Sequence, residues 1–163
     1  MRALVIASLL LAPLRVLAFD VGGVALGASE AEIRSSFPSA YCKPLEWKSR
    51  AAERRCDDAQ ISFAGTPARV TFFLREDAVL GFNVRFAAKE RPRVAAALKS
   101  RWGPPSAETR DVIPRKGSSE DEVYKMSWDK AGGRATLIWR PEHKRCWLMV
   151  SRGDFAEEIY RVR

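Results

Sequence analysis

The stretch A-R-V-T-F-F-L-R-E-D-A-V-L-G-F-N-V-R-F, residues 68–86, decides the fold class of this chain. Apolar and polar residues alternate along both of its halves, which is the period-two pattern of a strand with one face in water. Glu76–Ala78 lie between the halves and supply a turn, so the stretch predicts a β-hairpin. The apolar face consists of Val70, Phe72, Leu74, Leu80, Phe82, Val84 and Phe86, and the opposite face includes Arg69, Thr71, Asn83 and Arg85.

A second hairpin is indicated nearer the C-terminus. Apolar and polar residues alternate along Tyr124–Trp128 and again along Ala135–Trp139. Ala131–Gly133 separate the two runs and have the composition of a turn. Cys146–Ser151 add one more apolar strand, so the pattern continues almost to the end of the chain.

Two amphipathic helices are predicted between the strands. Ser29–Glu32 form a capping box, in which the serine hydroxyl and the glutamate satisfy free amides at a helix start. Pro38 ends this helix, because a proline disfavours a helical residue before it. A second helix begins near Pro92, a residue suited to the first helical position, and ends at Gly103. The apolar edges are Ile33 and Phe37 in the first helix, and Val94, Leu98 and Trp102 in the second.

These elements predict one α+β domain over residues 19–163, with an antiparallel sheet of five or six strands and two helices on one face. Shifting the chain against itself by 65 residues superimposes the two halves without a gap. This predicts two tandem repeats of a helix and three strands, at about residues 25–88 and 90–153. The alternative is chance similarity between two amphipathic units. The aligned pairs are Ile33 with Leu98, Phe37 with Trp102, and Phe63 with Trp128.

A family resemblance rests on V-A-L-G-A-S-E-A-E-I-R at Val24–Arg34, where a glycine and a capping box open a short helix before alternating strands. This pattern resembles the small envelope α+β family of the SmpA/OmlA (BamE) lipoproteins. The tandem helix-plus-sheet units are also similar to those of β-lactamase inhibitor proteins. The resemblance implies a non-enzymatic binding scaffold with no catalytic residue. The chain lacks the lipid-bearing cysteine of the lipoproteins.

Residues 1–18 have the pattern of a cleavable signal peptide. Arg2 precedes an apolar run, Ala3–Leu14, and Val16 and Ala18 occupy the −3 and −1 positions of a cleavage site. The run is shorter than the roughly 20 residues that a membrane-spanning helix needs. We therefore expect a periplasmic or secreted protein with no transmembrane segment in the mature chain.

The three cysteines of an exported chain predict one disulfide bond and one free thiol. Cys42 and Cys56 enclose a loop of about 15 residues, a length at which a disulfide stabilises well, and we expect them to pair. Cys146 lies in an apolar strand, where a small buried thiol fits. The alternative pairs Cys146 with Cys42 or Cys56 and leaves the third thiol exposed.

The positive charge of the chain favours an anionic partner, and the alternative is that it reflects a proteome rich in arginine. Removing residues 1–18 takes away two arginines and no acid, which lowers the net charge from +8 to +6. Cations are concentrated around Trp47 between the first two cysteines, and a mixture of arginine and tryptophan is typical of binding hot spots. The alternative is a solvated loop whose tryptophan folds back onto the sheet. The predicted binding residues are Trp47, Lys48, Arg50, Arg54 and Arg55, with Lys43 nearby.

Residues with catalytic or metal-binding chemistry are sparse. His143 is the only histidine and lies in a polar turn, where a solvated side chain is expected more often than a general base. Gly22–Gly27 lack the lysine and hydroxyl of a phosphate loop and indicate a flexible leader. Glu120–Glu122 point to alternate faces of a strand, which favours a solvated acidic edge over a cation site. We expect no cofactor and no metal.

These observations predict an exported, non-enzymatic binding module of the bacterial envelope. Its expected partner is a protein or an anionic envelope component, and nucleic acid is not expected. The first alternative is a secreted enzyme inhibitor, which a sheet face lined by Trp139 or Trp147 would favour. The second is a small hydrolase or nuclease using His143, which a cleft joining that residue to a carboxylate and an arginine would favour.

Export makes the first testable prediction. N-terminal sequencing of the mature protein from envelope material should begin at Phe19, because the cleavage-site pattern ends at Ala18. Recovery of a cytosolic product that still starts at Met1 would contradict it.

Overall fold

The computed structural model describes residues 19–114 and 120–159. The predicted signal peptide lies outside these residues. Strands hold 52% of the described residues and helices 19%. The strands are β1 (Asp20–Val21), β2 (Val24–Ala25), β3 (Tyr41–Pro44), β4 (Arg54–Phe63), β5 (Thr66–Arg75), β6 (Ala78–Ala87), β7 (Ala107–Pro114), β8 (Glu120–Lys130), β9 (Gly133–Trp139) and β10 (Arg145–Ser151). The helices are α1 (Glu30–Ser36), α2 (Arg91–Trp102) and α3 (Phe155–Glu158), and a 3-10 turn, Ala88–Glu90, precedes α2.

Eight strands form one antiparallel sheet in the order β3-β4-β5-β6-β10-β9-β8-β7. Each of α1 and α2 is followed by four of these strands, and the last strand of each set meets the other at the centre of the sheet. The element order is therefore the same in both halves. Common origin of the two halves stays a prediction.

The predicted two-helix α+β class with five or six strands is wrong, because the described chain is mostly antiparallel β. Three strands of this sheet, β3, β4 and β7, were not identified from the sequence, and physical reasons are evident for β7 and β4. All eight residues of β7 are exposed, so its sequence has no apolar alternation. In β4 the pairing register shifts between Asp58 and Ile61, which interrupts the period-two pattern.

The main core lies between one face of the sheet and the helices α1 and α2. The capping box forms as expected, with the Ser29 hydroxyl accepting from the Glu32 amide. Aromatic rings link the layers: the centroids of Phe37 and Phe72 lie 5.4 Å apart, and those of Trp102 and Trp128 lie 5.6 Å apart. Other fully buried members of this core are Ile33, Val70, Phe82, Val84, Val94, Leu137, Leu148 and Val150.

The expectation of a flexible leader at Gly22–Gly27 is wrong. Val21 and Val24 pair across a tight turn, and both side chains are buried in the main core. Gly22 and Gly23 have positive φ values of 56° and 84°, which the turn requires and which glycine adopts without strain. The leader is thus a two-stranded ribbon anchored to the domain.

Leu80 also differs from its expected position on the main core face. Phe73 pairs with Gly81 and Leu74 pairs with Val79, so Leu80 is an extra residue in the β5–β6 pairing. This bulge turns Leu80 to the opposite face of the sheet, where it packs beside Phe155 and Ile159.

A disulfide bond joins Cys42 and Cys56, which are direct partners on β3 and β4. Cys146 is a buried free thiol, and burial raises its pKa. Within the described residues, no helix is both long and apolar enough to cross a membrane.

Removing the disulfide should destabilise the fold. We expect the double variant Cys42→Ala/Cys56→Ala to lose about 3 kcal/mol of unfolding free energy, because the bond restricts a loop of about 15 residues in the unfolded chain. Urea denaturation measures the loss. As a control, a reducing agent should destabilise the wild-type protein and leave the double variant unchanged. Equal stability of the wild type with and without reductant would contradict the prediction.

Candidate binding site on the open face of the sheet

The face of the sheet opposite α1 and α2 carries the candidate site. Side chains alternate across each strand, so the residues between the core positions point to this second face. The register aligns Arg69 of β5 with Arg85 of β6, and Arg85 with Trp147 of β10. We call this surface the open face.

The C-terminal helix covers one end of the open face. Phe155 packs against Phe73 with ring centroids 5.6 Å apart. Gly81 permits this approach, because a Cβ atom there would lie 2.4 Å from the Phe155 ring. The indole Nε1 of Trp47 donates to the carbonyl of Ile159 at 2.7 Å, which ties the loop before β4 to α3. The cover therefore combines a loop and a helix that are far apart in sequence.

A cleft of about 330 Å³ lies beside this cover. Its floor is formed by strands β4, β5, β6 and β10, and tryptophans from the loop and from β10 contribute to its walls. The residues that line the cleft are Trp47, Arg55, Asp57, Arg69, Thr71, Phe73, Asn83, Arg85 and Trp147.

Arg69 and Arg85 are the most informative pair in the cleft. They are directly opposite each other on neighbouring strands, and like charges in this arrangement destabilise a sheet. Among the described residues, neither side chain forms a hydrogen bond or an ion pair. The two positive charges are therefore left available to a ligand.

The carboxylate in the cleft does not neutralise these two arginines. Asp57 accepts a hydrogen bond from the Thr71 hydroxyl at 2.7 Å and lies 2.9 Å from Nε of Arg55. Its charge is therefore offset locally. Oδ1 of Asn83, which also lines the cleft, is buried without a hydrogen-bond partner within the described chain, and a donor on a ligand would satisfy it.

A second cleft, of about 340 Å³, extends the positive surface along the same strands. It shares Arg69 and Arg85 with the first cleft and adds Lys144, just before β10, and Arg145, the first residue of β10. None of the described residues that line it is a carboxylate. Among the described residues, the two clefts together present five cations and one carboxylate, so an anion near them is attracted from several directions.

The structure separates the binding residues that were predicted around Trp47. Trp47 and Arg55 line the first cleft. Arg54 is the neighbour of Arg55 in β4 and points to the other face, where its Nε lies 3.0 Å from Glu30. Lys48 and Arg50 are exposed and do not line the cleft.

Sequence reasoning did not single out Arg69 and Arg85 as site residues. One indication was present: a hairpin centred on Asp77 pairs residues 69 and 85, and the alternation puts both on the polar face. Trp147 was considered only for an inhibitor face, and its meeting with Arg85 had no indication in the sequence, because β6 pairs there with a strand about 60 residues later.

The other candidate residues do not line either cleft. His143 lies beside Trp147, with ring centroids 6.0 Å apart, and its side chain forms no hydrogen bond or ion pair within the described residues. Glu122 contacts Arg110 and the Tyr124 hydroxyl. One group of three metal-ligating side chains occurs in the described part of the chain, Glu30 with Cys42 and Cys56, and its two sulfurs form the disulfide.

Comparison of the chain with family models, curated proteins and solved structures finds no match in any of the three. The resemblance to the BamE-like and inhibitor-like proteins stays a prediction.

The Glu30–Arg54 contact makes a testable prediction about stability. The guanidiniums of Arg34 and Arg54 hold the pKa of Glu30 below its usual value of 4.5. A lowered folded-state pKa stabilises the fold above the unfolded pKa, and this contribution is lost as the pH falls through the folded value. We expect Glu30→Gln to cost about 0.5–1 kcal/mol at pH 7 and less at pH 3, because the contribution falls as the carboxylate is protonated.

Urea denaturation at the two pH values measures the difference. Glu142→Gln, at an exposed turn position, is the control and should change stability little at either pH. A loss for Glu30→Gln that is equal at pH 7 and pH 3 would show that the ion pair is not its cause.

Proposed function

We propose that this protein is an exported, non-enzymatic binding module that recognises an anionic partner through the open face of its sheet. The observation that carries the proposal is the direct opposition of Arg69 and Arg85 without a carboxylate partner among the described residues. Folding gains nothing from two facing cations, whereas an oxyanion between them would receive charge-assisted hydrogen bonds from both.

The partner that fits best is an acidic segment of another protein. Guanidinium groups match the geometry of carboxylates and bind them through two parallel hydrogen bonds. Two adjoining clefts that share Arg69 and Arg85 suit a chain with several carboxylates better than a single small ion. Trp47 and Trp147 add the broad aromatic surface that is common in binding hot spots.

Enzyme inhibition is the second candidate function, and one observation favours it. Trp147 lines the open face, where an inhibitor would present an aromatic side chain to its target. Trp139 does not contribute there, because it lies on the other face, stacked on Tyr124 and beneath Arg91. The inhibitor hypothesis is thus a special case of binding through the open face.

Charge removal tests the proposal. The probe is a fluorescently labelled octaglutamate peptide, and its affinity for the mature protein is measured by anisotropy. We expect the double variant Arg69→Gln/Arg85→Gln to bind at least about tenfold more weakly, because charged hydrogen bonds to both guanidiniums are lost. Wild-type binding should also weaken as salt is added, since screening shortens the range of exposed charges.

The matched control is Arg34→Gln/Arg93→Gln, which removes the same charge from α1 and α2 on the covered side of the sheet. This variant should bind the peptide almost as tightly as the wild type. The proposal fails if both folded double variants lose the same affinity, because net charge would then explain the binding. It also fails if the wild type does not bind the peptide at low salt.

Single substitutions separate the open face from the loop that the sequence indicated. Arg55→Gln should weaken peptide binding, because Arg55 lines the cleft, and Arg54→Gln should not, because Arg54 pairs with Glu30 on the other face. Trp147→Ala should weaken binding without removing its salt dependence. Equal effects of the Arg54 and Arg55 variants would point to the loop rather than the cleft.

A further inference from the structure

The two edges of the eight-stranded sheet differ in how they are protected. Both edge strands end at a proline, but β3 closes one edge with only four residues and is tied to β4 by the disulfide. β7 closes the other edge with eight residues, all of them exposed. Val112 and Ile113 are 46% and 44% exposed there. Natural proteins usually shorten or block such edges, because a long unpaired strand is a template for another strand.

We propose that β7 pairs with the β7 strand of a second copy of this chain, in an antiparallel dimer centred on Thr109. The outer backbone N–H and C=O groups of β7 have no strand partner within the described residues, since β7 has a neighbour on one side only. Pairing about Thr109 sets residues 107–111 of the two copies against each other, satisfies the outer groups within that segment, and joins two eight-stranded sheets into one. The proposal does not depend on the function of the open face.

Symmetry and charge together select the register. A two-fold axis between antiparallel strands runs perpendicular to the sheet, so one residue of each strand faces its own copy. With Thr109 at the axis, Glu108 of each strand faces Arg110 of the other. The dimer then contains two symmetric pairs of opposite charge, and a Thr–Thr pair at its centre, both of which stabilise antiparallel sheets.

The neighbouring registers are less favourable. An axis at Arg110 would place two guanidiniums opposite each other, and an axis at Asp111 would place two carboxylates opposite each other, both of which cost free energy. An axis at Val112 would place Arg110 opposite Pro114 and Asp111 opposite Ile113, so it would form no pair of opposite charges. Thr109 is therefore the centre that the charge pattern of β7 favours.

Glu108 and Arg110 are positioned to reach a second strand. Their register partners on β8 are Met126 and Tyr124, so both side chains lie on the helix side of the sheet. In the monomer Glu108 lies 3.3 Å from Lys99, and Arg110 contacts Glu122. The two side chains remain more than half exposed, at 55% and 56%. Each can therefore keep its partner within the monomer and also contact the opposite charge on the second copy.

The dimer would display two open faces on the same side. Rotation about an axis perpendicular to the sheet does not exchange its two faces, so the open faces of both copies lie on the same side of the dimer. The Arg69 and Arg85 pairs of both copies therefore point in one direction. A partner with two acidic segments could then engage both copies at once, which raises the overall affinity without a new contact.

Charge reversal with mixing tests the dimer. Sedimentation equilibrium should show concentration-dependent self-association of the mature wild-type protein. Glu108→Arg makes both facing residues positive and Arg110→Glu makes both negative, so each variant alone should self-associate at least about tenfold more weakly. An equimolar mixture of the two variants should associate again, because each strand then meets its opposite charges.

Mixing leaves each variant monomer unchanged, so a gain in association on mixing can come only from contacts between the two variants. If the two variants together associate no better than either alone, or if the wild type stays monomeric up to millimolar concentration, the proposed pairing is wrong. Circular dichroism of each variant checks that its fold is intact.

A crosslink tests the register. Thr109→Cys brings two thiols face to face across the axis, so mild oxidation should yield a disulfide-linked dimer. Tyr41→Cys, an exposed position on the opposite edge, is the control and should yield little dimer. The native cysteines do not interfere, because Cys42 and Cys56 are bonded and Cys146 is buried. Equal crosslinking of the two variants would overturn the register.

Discussion

The pairing of β6 with β10 is the interaction on which the rest of the structure depends. The two strands run antiparallel along the whole of β10, with Leu148 opposite Val84, and both side chains are fully buried. Each set of four strands by itself would end in an apolar edge strand, which is an unstable arrangement in water. Pairing β6 with β10 turns these two edge strands into the central strands of one sheet. The joined sheet then has one continuous core under α1 and α2.

The same pairing determines where function can reside. Once the helices cover one face of the joined sheet, the opposite face is available, and α3 with the Trp47 loop covers only part of it. The uncovered part brings together Arg69, Arg85 and Trp147 from three adjacent strands. Facing cations oppose folding, so their position on a well-ordered sheet is explained more readily by binding than by stability.

Local patterns predicted much of the fold. The hairpin around Asp77, the hairpin before Trp139 and the capped helix after Ser29 all appear in the structure, because alternation and capping depend on near neighbours in sequence. The patterns did not reveal β7, whose two faces are both in water, or the interrupted strand β4. Missing these strands led to the wrong fold class, since a sheet of eight strands changes the balance between helix and strand.

The candidate site, like the fold, was predicted from the sequence only in part. The sequence around the first two cysteines indicated cations and a tryptophan, and two of those residues, Trp47 and Arg55, do line the cleft. Alternation alone placed Arg69 on a polar face, but could not show that this face meets Trp47 and Trp147.

By itself the sequence determined the hairpins around Asp77 and before Trp139, the capped helix after Ser29, and that the chain is basic, because each of these depends on residue type and short spacing. Tertiary structure alone decided the order of eight strands, the separation of Arg54 from Arg55 onto opposite faces, and the meeting of Arg85 with Trp147. These outcomes depend on strand pairs that are distant in the chain, and the register of such pairs is set by the packing of the whole sheet.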